Sequence, residues 1–287
     1  MSDTLPMTEA LHIAEHIARQ AGALLRYYFE RPRTFDHKQT LIDLVTEADR
    51  ASEQLIVEAL QKAFPEHHIV GEEGGGYGPP MEKTPYHWYV DPLDGTTNFA
   101  HRFPVFAVSL ALSGPDMQPL LGVVYDPMRD ELFKAQREGG ATLNGRRLRV
   151  SRVDNLAEAL VVTGFPYNRW TAEDNNVATF GHFARRVQGV RRVGAAALDL
   201  CWVAAGRFDV YWERGLQPWD GQAGMLCVLE AGGTVTDYDG RVSEAMWRGD
   251  AVVATNGLLH AQALEVIQHG DAAPRPLALS QPEGEGV

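Results

Sequence analysis

The chain has 287 residues, 45% hydrophobic and 22% charged, which suffices for one large domain or two closely packed domains and excludes a disordered chain, a collagen-like repeat and a coiled coil. Its formal net charge of −12 argues against a globally basic nucleic-acid binder. Two cysteines are too few for a disulfide framework, and no targeting or bilayer-length apolar segment is visible, so we predict a soluble, cytoplasmic protein without membrane contact.

Two amphipathic helices are predicted at the start of the chain. Apolar residues recur at helical spacing over residues 7–28. A second helix is predicted over about residues 47–64, where Thr46 and Asp49 resemble a capping box. The glycine run that begins at Gly74 is predicted to be a flexible loop.

The rest of the chain divides into two patterns. Before residue 150, predicted strands follow one another with only turns between them, at residues 87–90, 105–112, 120–125 and 131–135. After it, strands alternate with helices, and the predicted helices cover residues 175–187, 195–205, 220–231 and 258–268. The strands of this part are predicted at residues 159–163, 190–193, 208–212, 234–237 and 251–254. This order predicts an α/β (α+β) protein with two stacked sheets and with helices between and outside them.

These patterns divide the chain into an N-terminal α+β half with a mostly antiparallel sheet, residues 1–150, and a C-terminal α/β half, residues 151–270. The tail, residues 271–287, is rich in proline, glycine and glutamate and is predicted to be disordered. Cys201 and Cys227 lie among apolar residues and are expected to be buried. His67, His68 and the arginine pairs are expected to be exposed.

The segment that carries the most information is WYVDPLDGTTNF. A predicted strand delivers Asp91 at its carboxyl end, and Gly95 permits a tight turn after Asp94. Two carboxylates at such a turn can converge on one point, where a hard cation such as Mg²⁺ would remove their repulsion. The N–H groups of Gly95, Thr96 and Thr97 can then face an anion. Ordinary turn chemistry is the alternative that this segment alone leaves open.

Further acidic groups lie at the ends of other predicted elements. Glu72 and Glu73 follow a short apolar run, Asp220 opens a predicted helix, and Asp49 lies near the start of another. Each has an ordinary structural interpretation: exposed loop charge for the glutamates, and helix capping for the aspartates. The order in which they occur along the chain is more specific than any one of them.

Taken in that order, these segments resemble the inositol monophosphatases, a family within the lithium-sensitive, Mg²⁺-dependent phosphatases. The resemblance covers residues 11–264 and is carried by the string DPLDGTTNFAH from Asp91 and by the segment from Trp219 to Gly233. It implies a layered α-β-α-β-α sandwich, usually a homodimer, in which the N-terminal half holds most metal ligands. The C-terminal half would contribute Glu213 and Asp220.

The resemblance also implies roles for single residues. The implied metal ligands are Glu72, Asp91, Asp94, Asp220 and the carbonyl of Leu93. They would hold two Mg²⁺ ions, and some family members hold a third, weaker ion near Glu72. Thr96, with Asp49 behind it, would orient and deprotonate the attacking water, and Glu72 is the third implied catalytic residue. The implied substrate contacts are Lys38, Asp94, Gly95, Thr96, Ala196 and Glu213.

The expected activity is hydrolysis of inositol-1-phosphate, and of related polyol and sugar phosphates, by in-line attack of a metal-activated water without a phosphoenzyme. Thr97-Asn98-Phe99 and Glu213 resemble the inositol type. A fructose-1,6-bisphosphatase, a histidinol phosphatase and a nucleotidase stay open as alternatives. So does a regulatory protein of the same fold that binds the transcription machinery or RNA, although the intact set of implied ligands disfavours a purely non-catalytic role.

Overall fold

The first two helices pack side by side over one face of a sheet. The computed structural model describes residues 7–31, 41–166 and 168–274. Helix α1 (Met7–Glu30) buries small and aliphatic side chains spaced three or four residues apart, which confirms the predicted helix. Helix α2 (Leu41–Ala63) begins six residues before its predicted start. Thr46 and Asp49 therefore lie inside the helix, and the prediction that they form its capping box is wrong, because the same local pattern also occurs within helices.

Strands β1 to β8 form one sheet in the order β2-β1-β3-β4-β5-β6-β7-β8. Their bounds are β1 (His68–Gly71), β2 (Gly75–Tyr77), β3 (His87–Asp94), β4 (Ala107–Ser113), β5 (Pro119–Asp126), β6 (Glu131–Gln136), β7 (Gly140–Leu143) and β8 (Arg146–Arg147). Strand β1 runs parallel to β3, and the other neighbours are antiparallel. The four strands predicted from 87 to 135 are confirmed. Strand β2 replaces part of the predicted glycine loop, since its backbone pairs with β1.

A second sheet follows with the order β10-β9-β11-β13-β12. Its strands are β9 (Leu160–Thr163), β10 (Gly189–Arg191), β11 (Val210–Arg214), β12 (Thr234–Thr236) and β13 (Ala251–Thr255). The remaining helices are α3 (Thr96–Ala100), α4 (Val177–Ala184), α5 (Ala196–Ala204), α6 (Pro218–Glu230), α7 (Glu244–Arg248) and α8 (His260–His269). Helices α4, α5, α6 and α8 confirm the predicted ones, whereas the short α3 and α7 were not predicted.

Helices α5 and α6 lie between the two sheets and are covered on both faces. Every side chain from Ala197 to Ala204 is buried, which explains why this stretch shows no polar face in the sequence. At Gly122 on β5, a Cβ atom would come within 2.8 Å of Ala223 Cα, so only glycine lets α6 approach the first sheet this closely. The apolar core therefore continues from the first sheet through α5 and α6 to the second.

The outer layers complete the sandwich. Helices α1 and α2 cover the far face of the first sheet, and α4 and α8 cover the far face of the second. The resulting order of layers is α-β-α-β-α, which confirms the expected fold. The change from one sheet to the other falls between Arg147 and Leu160. In the described parts of the chain, no helix is long and apolar enough to cross a membrane.

Some expectations for single residues are wrong. His67 is buried, and its Nδ1 accepts a hydrogen bond from Trp88 Nε1 at 3.1 Å. Arg186 is also buried and donates to the carbonyls of Gly270 and Ala273, so it fixes the end of α8 rather than facing solvent. The start of the predicted disordered tail, residues 271–274, is therefore ordered by long-range contacts. Residues 275–287 lie outside the described part of the chain.

Candidate active site

A bulge in β3 brings Asp91 and Asp94 to the same side of the strand. In a regular strand, residues three apart point to opposite faces. Here Asp91 is opposite Ser109 and Asp94 is opposite Ala107, so β3 contains one more residue than β4 over this stretch. The extra residue turns the side chain of Asp94 to the same side of the strand as that of Asp91. Pro92 occupies the bulge, where its missing N–H removes no ladder bond.

Asp94 is held at the start of helix α5. Its Oδ1 accepts a hydrogen bond from Ala196 N at 3.1 Å, and its Oδ2 accepts one from Ala197 N at 2.9 Å. These are N–H groups of the first helical turn, which have no acceptor within the helix and favour a negative charge. The predicted substrate contact at Ala196 thus has its N–H directed at Asp94, while the residue itself borders the cavity described below.

Glu72 lies beside Asp91 because β1 and β3 run in parallel. Gly71 is opposite Val90 in the register, and Glu72 N donates to Val90 O at 3.3 Å. The carboxyl ends of the two strands therefore meet at the same edge of the sheet. The carboxyl group of Glu72 therefore lies close enough to that of Asp91 to raise its pKa.

Asp220 and Glu213 come from the second half of the chain. Helix α6 begins at Pro218 rather than at Asp220, so Asp220 is its third residue, and its Oδ2 accepts from Gln217 N at 2.7 Å. Glu213 is on β11 and is 8% exposed. Its Oε2 accepts a hydrogen bond from the hydroxyl of Tyr211 at 2.8 Å, and its carboxyl group packs against the backbone of Gly164.

These groups line one cavity of about 400 Å³ between the two halves of the chain. Its acidic lining residues are Glu72, Asp91, Asp94, Asp199, Glu213 and Asp220. Two arginines, Arg169 and Arg192, also border it. The cavity therefore combines an excess of negative charge on its walls with a smaller positive charge.

The carboxyl groups raise one another's pKa. Burial, and after it the negative charge of Asp220, raises the pKa of Glu72 from 4.5 to about 7. Burial raises the pKa of Asp220 to about 6, against the lowering effect of the Gln217 N–H. The pKa values of Asp91 and Asp94 also lie well above the ordinary range, first through burial and then through their acidic neighbours. Added positive charge would lower these pKa values and favour the ionised form of the cluster.

The donor set fits a hard divalent cation. Every candidate ligand supplies oxygen: four carboxyl groups and the carbonyl of Leu93, which also lines the cavity. Within residues 7–31, 41–166 and 168–274, no group of three or more His, Cys, Asp or Glu side chains is already arranged to hold a metal ion. Instead, oxygens of Asp91, Asp94 and Asp220 accept hydrogen bonds from backbone N–H groups. Cations bound there would offset the negative charge of the carboxyl groups.

Thr96 and Asp49 come from two helices, α3 and α2. The Thr96 hydroxyl donates to Leu93 O at 3.1 Å. Asp49 is buried on α2, its Oδ1 has no hydrogen-bond partner, and burial together with Glu72 raises its pKa to about 8. Gly95, with a φ of 92°, is the residue before helix α3. Because the first N–H groups of a helix have no acceptor within it, those at the start of α3 are available to a ligand. Lys38 lies outside the described residues.

Among the residues that border the cavity, three polar or close-contact residues that were not proposed from the sequence stand next to predicted ones. Asp199 is 1% exposed on α5, Arg192 lies on the segment before α5, and Gly164 follows β9. An aspartate within an otherwise apolar helical stretch is the one signal that could have identified Asp199. Nothing local marks Gly164, because its role depends on Glu213 from another strand.

Comparison with known proteins agrees with this fold and site. The sequence matches the inositol monophosphatase family over residues 7–271. Inositol-1-monophosphatase of Synechocystis sp. is 44% identical over 257 residues, which span 90% of this chain and 88% of that protein. Nus factor SuhB of Pseudomonas aeruginosa is 49% identical over 237 residues, which span 82% of this chain and 87% of that protein. The structure of inositol monophosphatase from Anabaena sp. PCC 7120 superposes with a TM-score of 0.82 at 43% identity, covering 91% of this chain and 96% of that one. This chain belongs to the inositol monophosphatase family.

Proposed function

We propose that this protein is a Mg²⁺-dependent phosphomonoesterase that hydrolyses inositol-1-phosphate and related polyol phosphates. The observation that carries the proposal is one cavity that is lined both by the four candidate metal-ligand carboxyl groups and by Glu213. The four carboxyl groups suit cations, and phosphate with them, and Glu213 suits a hydroxylated leaving group. Family membership and the name of the Synechocystis relative support the same assignment.

On the phosphate side, Glu72, Asp91, Asp94, Asp220 and the Leu93 carbonyl would hold two Mg²⁺ ions, and a third, weaker one near Glu72. When bound, these ions supply the positive charge that attracts a phosphate and acidifies an attacking water. The N–H groups of Gly95 and Thr96, at the start of α3, would donate to the phosphate oxygens.

Thr96 and Asp49 act on the water. Because the Thr96 hydroxyl donates to Leu93 O, its lone pairs are available to accept a hydrogen bond from a water molecule. That contact would aim the water at phosphorus for in-line attack. Asp49 has an oxygen without a partner and would take up the proton, with Glu72 nearby.

The test is phosphate release by the purified protein from a panel of substrates with and without Mg²⁺. The panel contains inositol-1-phosphate, fructose-1,6-bisphosphate, histidinol phosphate, adenosine 3',5'-bisphosphate and 2'-AMP. We expect Mg²⁺-dependent turnover that is fastest with inositol-1-phosphate. A different preferred substrate would move the assignment to another phosphatase of the superfamily, and no turnover in the presence of Mg²⁺ would overturn it.

A second candidate function is binding to the transcription machinery. The 49% identity to the Pseudomonas aeruginosa protein named Nus factor SuhB favours it. The net charge of −12 makes direct nucleic-acid binding the less favoured form of this role. Co-purification with RNA polymerase that is lost at raised salt would support it, and failure to co-purify at low salt would contradict it.

We also propose that the protein is a cytoplasmic homodimer. Membership of the inositol monophosphatase family, whose members are usually homodimers, supports this proposal. Light scattering on the purified protein should give twice the chain mass of 31.7 kDa.

A further inference from the structure

Asp199 is a buried carboxyl group without a hydrogen-bond partner in the wall of the active-site cavity. It is 1% exposed, and neither of its oxygens has a partner. A buried carboxyl group in this condition is unfavourable, and most such groups in folded proteins are paired. Because Asp199 borders the cavity, a ligand there can supply the missing donor.

The fold explains why Asp199 has no partner of its own. It lies in the first turn of α5, where the backbone N–H groups of a helix usually satisfy an acidic side chain. Here the N–H groups of Ala196 and Ala197 are already taken by Asp94. Asp199 N is used within the helix, since it donates to Ala195 O at 2.9 Å. The carboxyl group therefore has no donor from its own helix, in a residue that borders the cavity.

The charged groups around Asp199 are of both signs. The acidic groups that act on it electrostatically are Glu213 and Asp94, and the basic one is Arg192. Arg192 also acts on Glu213, and its guanidinium lies against Gly194, which borders the cavity. A hydroxyl group can donate a hydrogen bond to this wall without adding a charge to it.

Glu213 provides a second acceptor on the same wall. The Tyr211 hydroxyl occupies its Oε2, and Oε1 is turned toward Gly164, which also borders the cavity. Asp199 and Glu213 border the same cavity, and Glu213 acts electrostatically on Asp199, so together they offer acceptors to two neighbouring hydroxyl groups on one ring. A phosphate ester of a simple alcohol or phenol has no such pair of donors.

We propose that Asp199 is a specificity residue that accepts a hydrogen bond from a hydroxyl of a polyol phosphate, directly or through one water, next to the hydroxyl bound by Glu213. This inference rests on the proposed function and deepens it. It assigns the part of the cavity lined by Asp199 and Glu213 to recognition of a vicinal diol.

The experiment compares two substrates on four proteins at saturating Mg²⁺. The proteins are the wild type, Asp199→Ala, Asp199→Asn and the control Asp174→Asn, which makes the same charge change on an exposed residue outside the cavity. The substrates are inositol-1-phosphate and 4-nitrophenyl phosphate, which has no hydroxyl on its ring. Thermal unfolding of each variant is measured alongside.

We expect Asp199→Ala to lower kcat/KM for inositol-1-phosphate about 10-fold or more, mainly through KM, and to change kcat/KM for 4-nitrophenyl phosphate by no more than about twofold. Asp199→Asn keeps the shape and one acceptor oxygen, so its loss should be smaller and it should fold as the wild type does. The control variant should match the wild type on both substrates.

No loss on either substrate in Asp199→Ala, or equal losses on the two substrates in Asp199→Asn, would overturn the role of Asp199 while leaving the phosphatase assignment intact. If the wild type hydrolyses 4-nitrophenyl phosphate but no polyol phosphate, the proposed substrate class fails and this inference fails with it.

Discussion

The carboxylate of Glu53 on helix α2 accepts a hydrogen bond from the backbone N–H of Gly74, 2.7 Å away, and so ties the helix to the loop that carries Glu72. The same carboxylate accepts from Glu73 N and from the Tyr77 hydroxyl, each at 2.8 Å. A Cβ atom on Gly74 would lie 1.6 Å from Tyr77 Oη, so this close contact requires glycine. Glu53 therefore fixes the position of a candidate metal ligand without touching the cavity.

This contact predicts that Glu53→Gln weakens Mg²⁺ activation. The amide of glutamine would direct a donor at a backbone N–H, and the loop with Glu72 would lose its anchor. We expect the Mg²⁺ concentration for half-maximal activity to rise about 10-fold, with a smaller change in the rate at saturating Mg²⁺. Calorimetric titration with Mg²⁺ should show the same shift in affinity.

Glu58→Gln is the matched control, because Glu58 is an exposed glutamate on the same helix. An unchanged Mg²⁺ requirement in Glu53→Gln would mean that the loop keeps its conformation without the carboxylate.

Asp94→Asn should abolish most turnover. The carboxylate accepts from two helix N–H groups, and asparagine can satisfy only one of them while placing its NH₂ toward the other. It also removes one negative charge from the candidate cation site. We expect kcat/KM for the preferred substrate to fall roughly 100-fold or more, since cation stabilisation of phosphoryl transfer is worth several kcal/mol.

The control for Asp94→Asn is Asp239→Asn, an equal charge change at an exposed turn. Full turnover by Asp94→Asn would show that Asp94 is not a metal ligand.

The order of layers and the Asp91–Asp94 segment could be predicted from the sequence because both are encoded locally. Amphipathic periodicity marked α1, and the string of aspartate, proline and glycine marked the end of β3. The bulge that turns both aspartates to one side depends on pairing with β4, which no local pattern records. The prediction of α2 starts too late for a related reason, because Thr46 and Asp49 match a capping box although they lie inside the helix.

The buried polar residues were the hardest to predict. His67 was expected to be exposed, yet Trp88 from a neighbouring strand covers it and donates to its ring. Asp199 was missed because two carboxyl groups that act on it, Asp94 at the end of β3 and Glu213 on β11, come from outside its own helix. In both cases the side chain's environment is set by tertiary contacts rather than by its own element.

Gly164→Ala should impair recognition of the leaving group. A Cβ atom at this position would come within 2.0 Å of Glu213 Oε1, so the carboxyl group must move away from the wall of the cavity. We expect kcat/KM for inositol-1-phosphate to fall about 10-fold, with little change for 4-nitrophenyl phosphate.

Gly181→Ala provides the control, because no atom lies within 4 Å of its Cβ position on α4 and alanine favours the helix. If Gly164→Ala left both substrates unaffected, Glu213 would have no part in binding the polyol.

Removal of metal should make the folded state less stable as the pH rises. The pKa of Glu72 is raised from 4.5 to about 7 and that of Asp220 from 3.8 to about 6, so the folded protein binds more protons than the unfolded chain between about pH 4 and pH 7. Stability contributed by these protonated groups is therefore present at low pH and is lost as the pH rises through the folded pKa values. Bound Mg²⁺ replaces the lost protons, so its stabilising effect should grow over the same range.

We expect the Tm in EDTA to fall between pH 5 and pH 8, and we expect saturating Mg²⁺ to raise the Tm more at pH 8 than at pH 5. Differential scanning calorimetry at fixed ionic strength measures both effects. Asp94→Asn should show a smaller Mg²⁺ effect at pH 8, because one of the repelling charges is gone and one oxygen ligand is lost. A Mg²⁺-induced rise in Tm that is the same at both pH values would contradict the linkage, since the cation would then not compete with protons for these carboxyl groups.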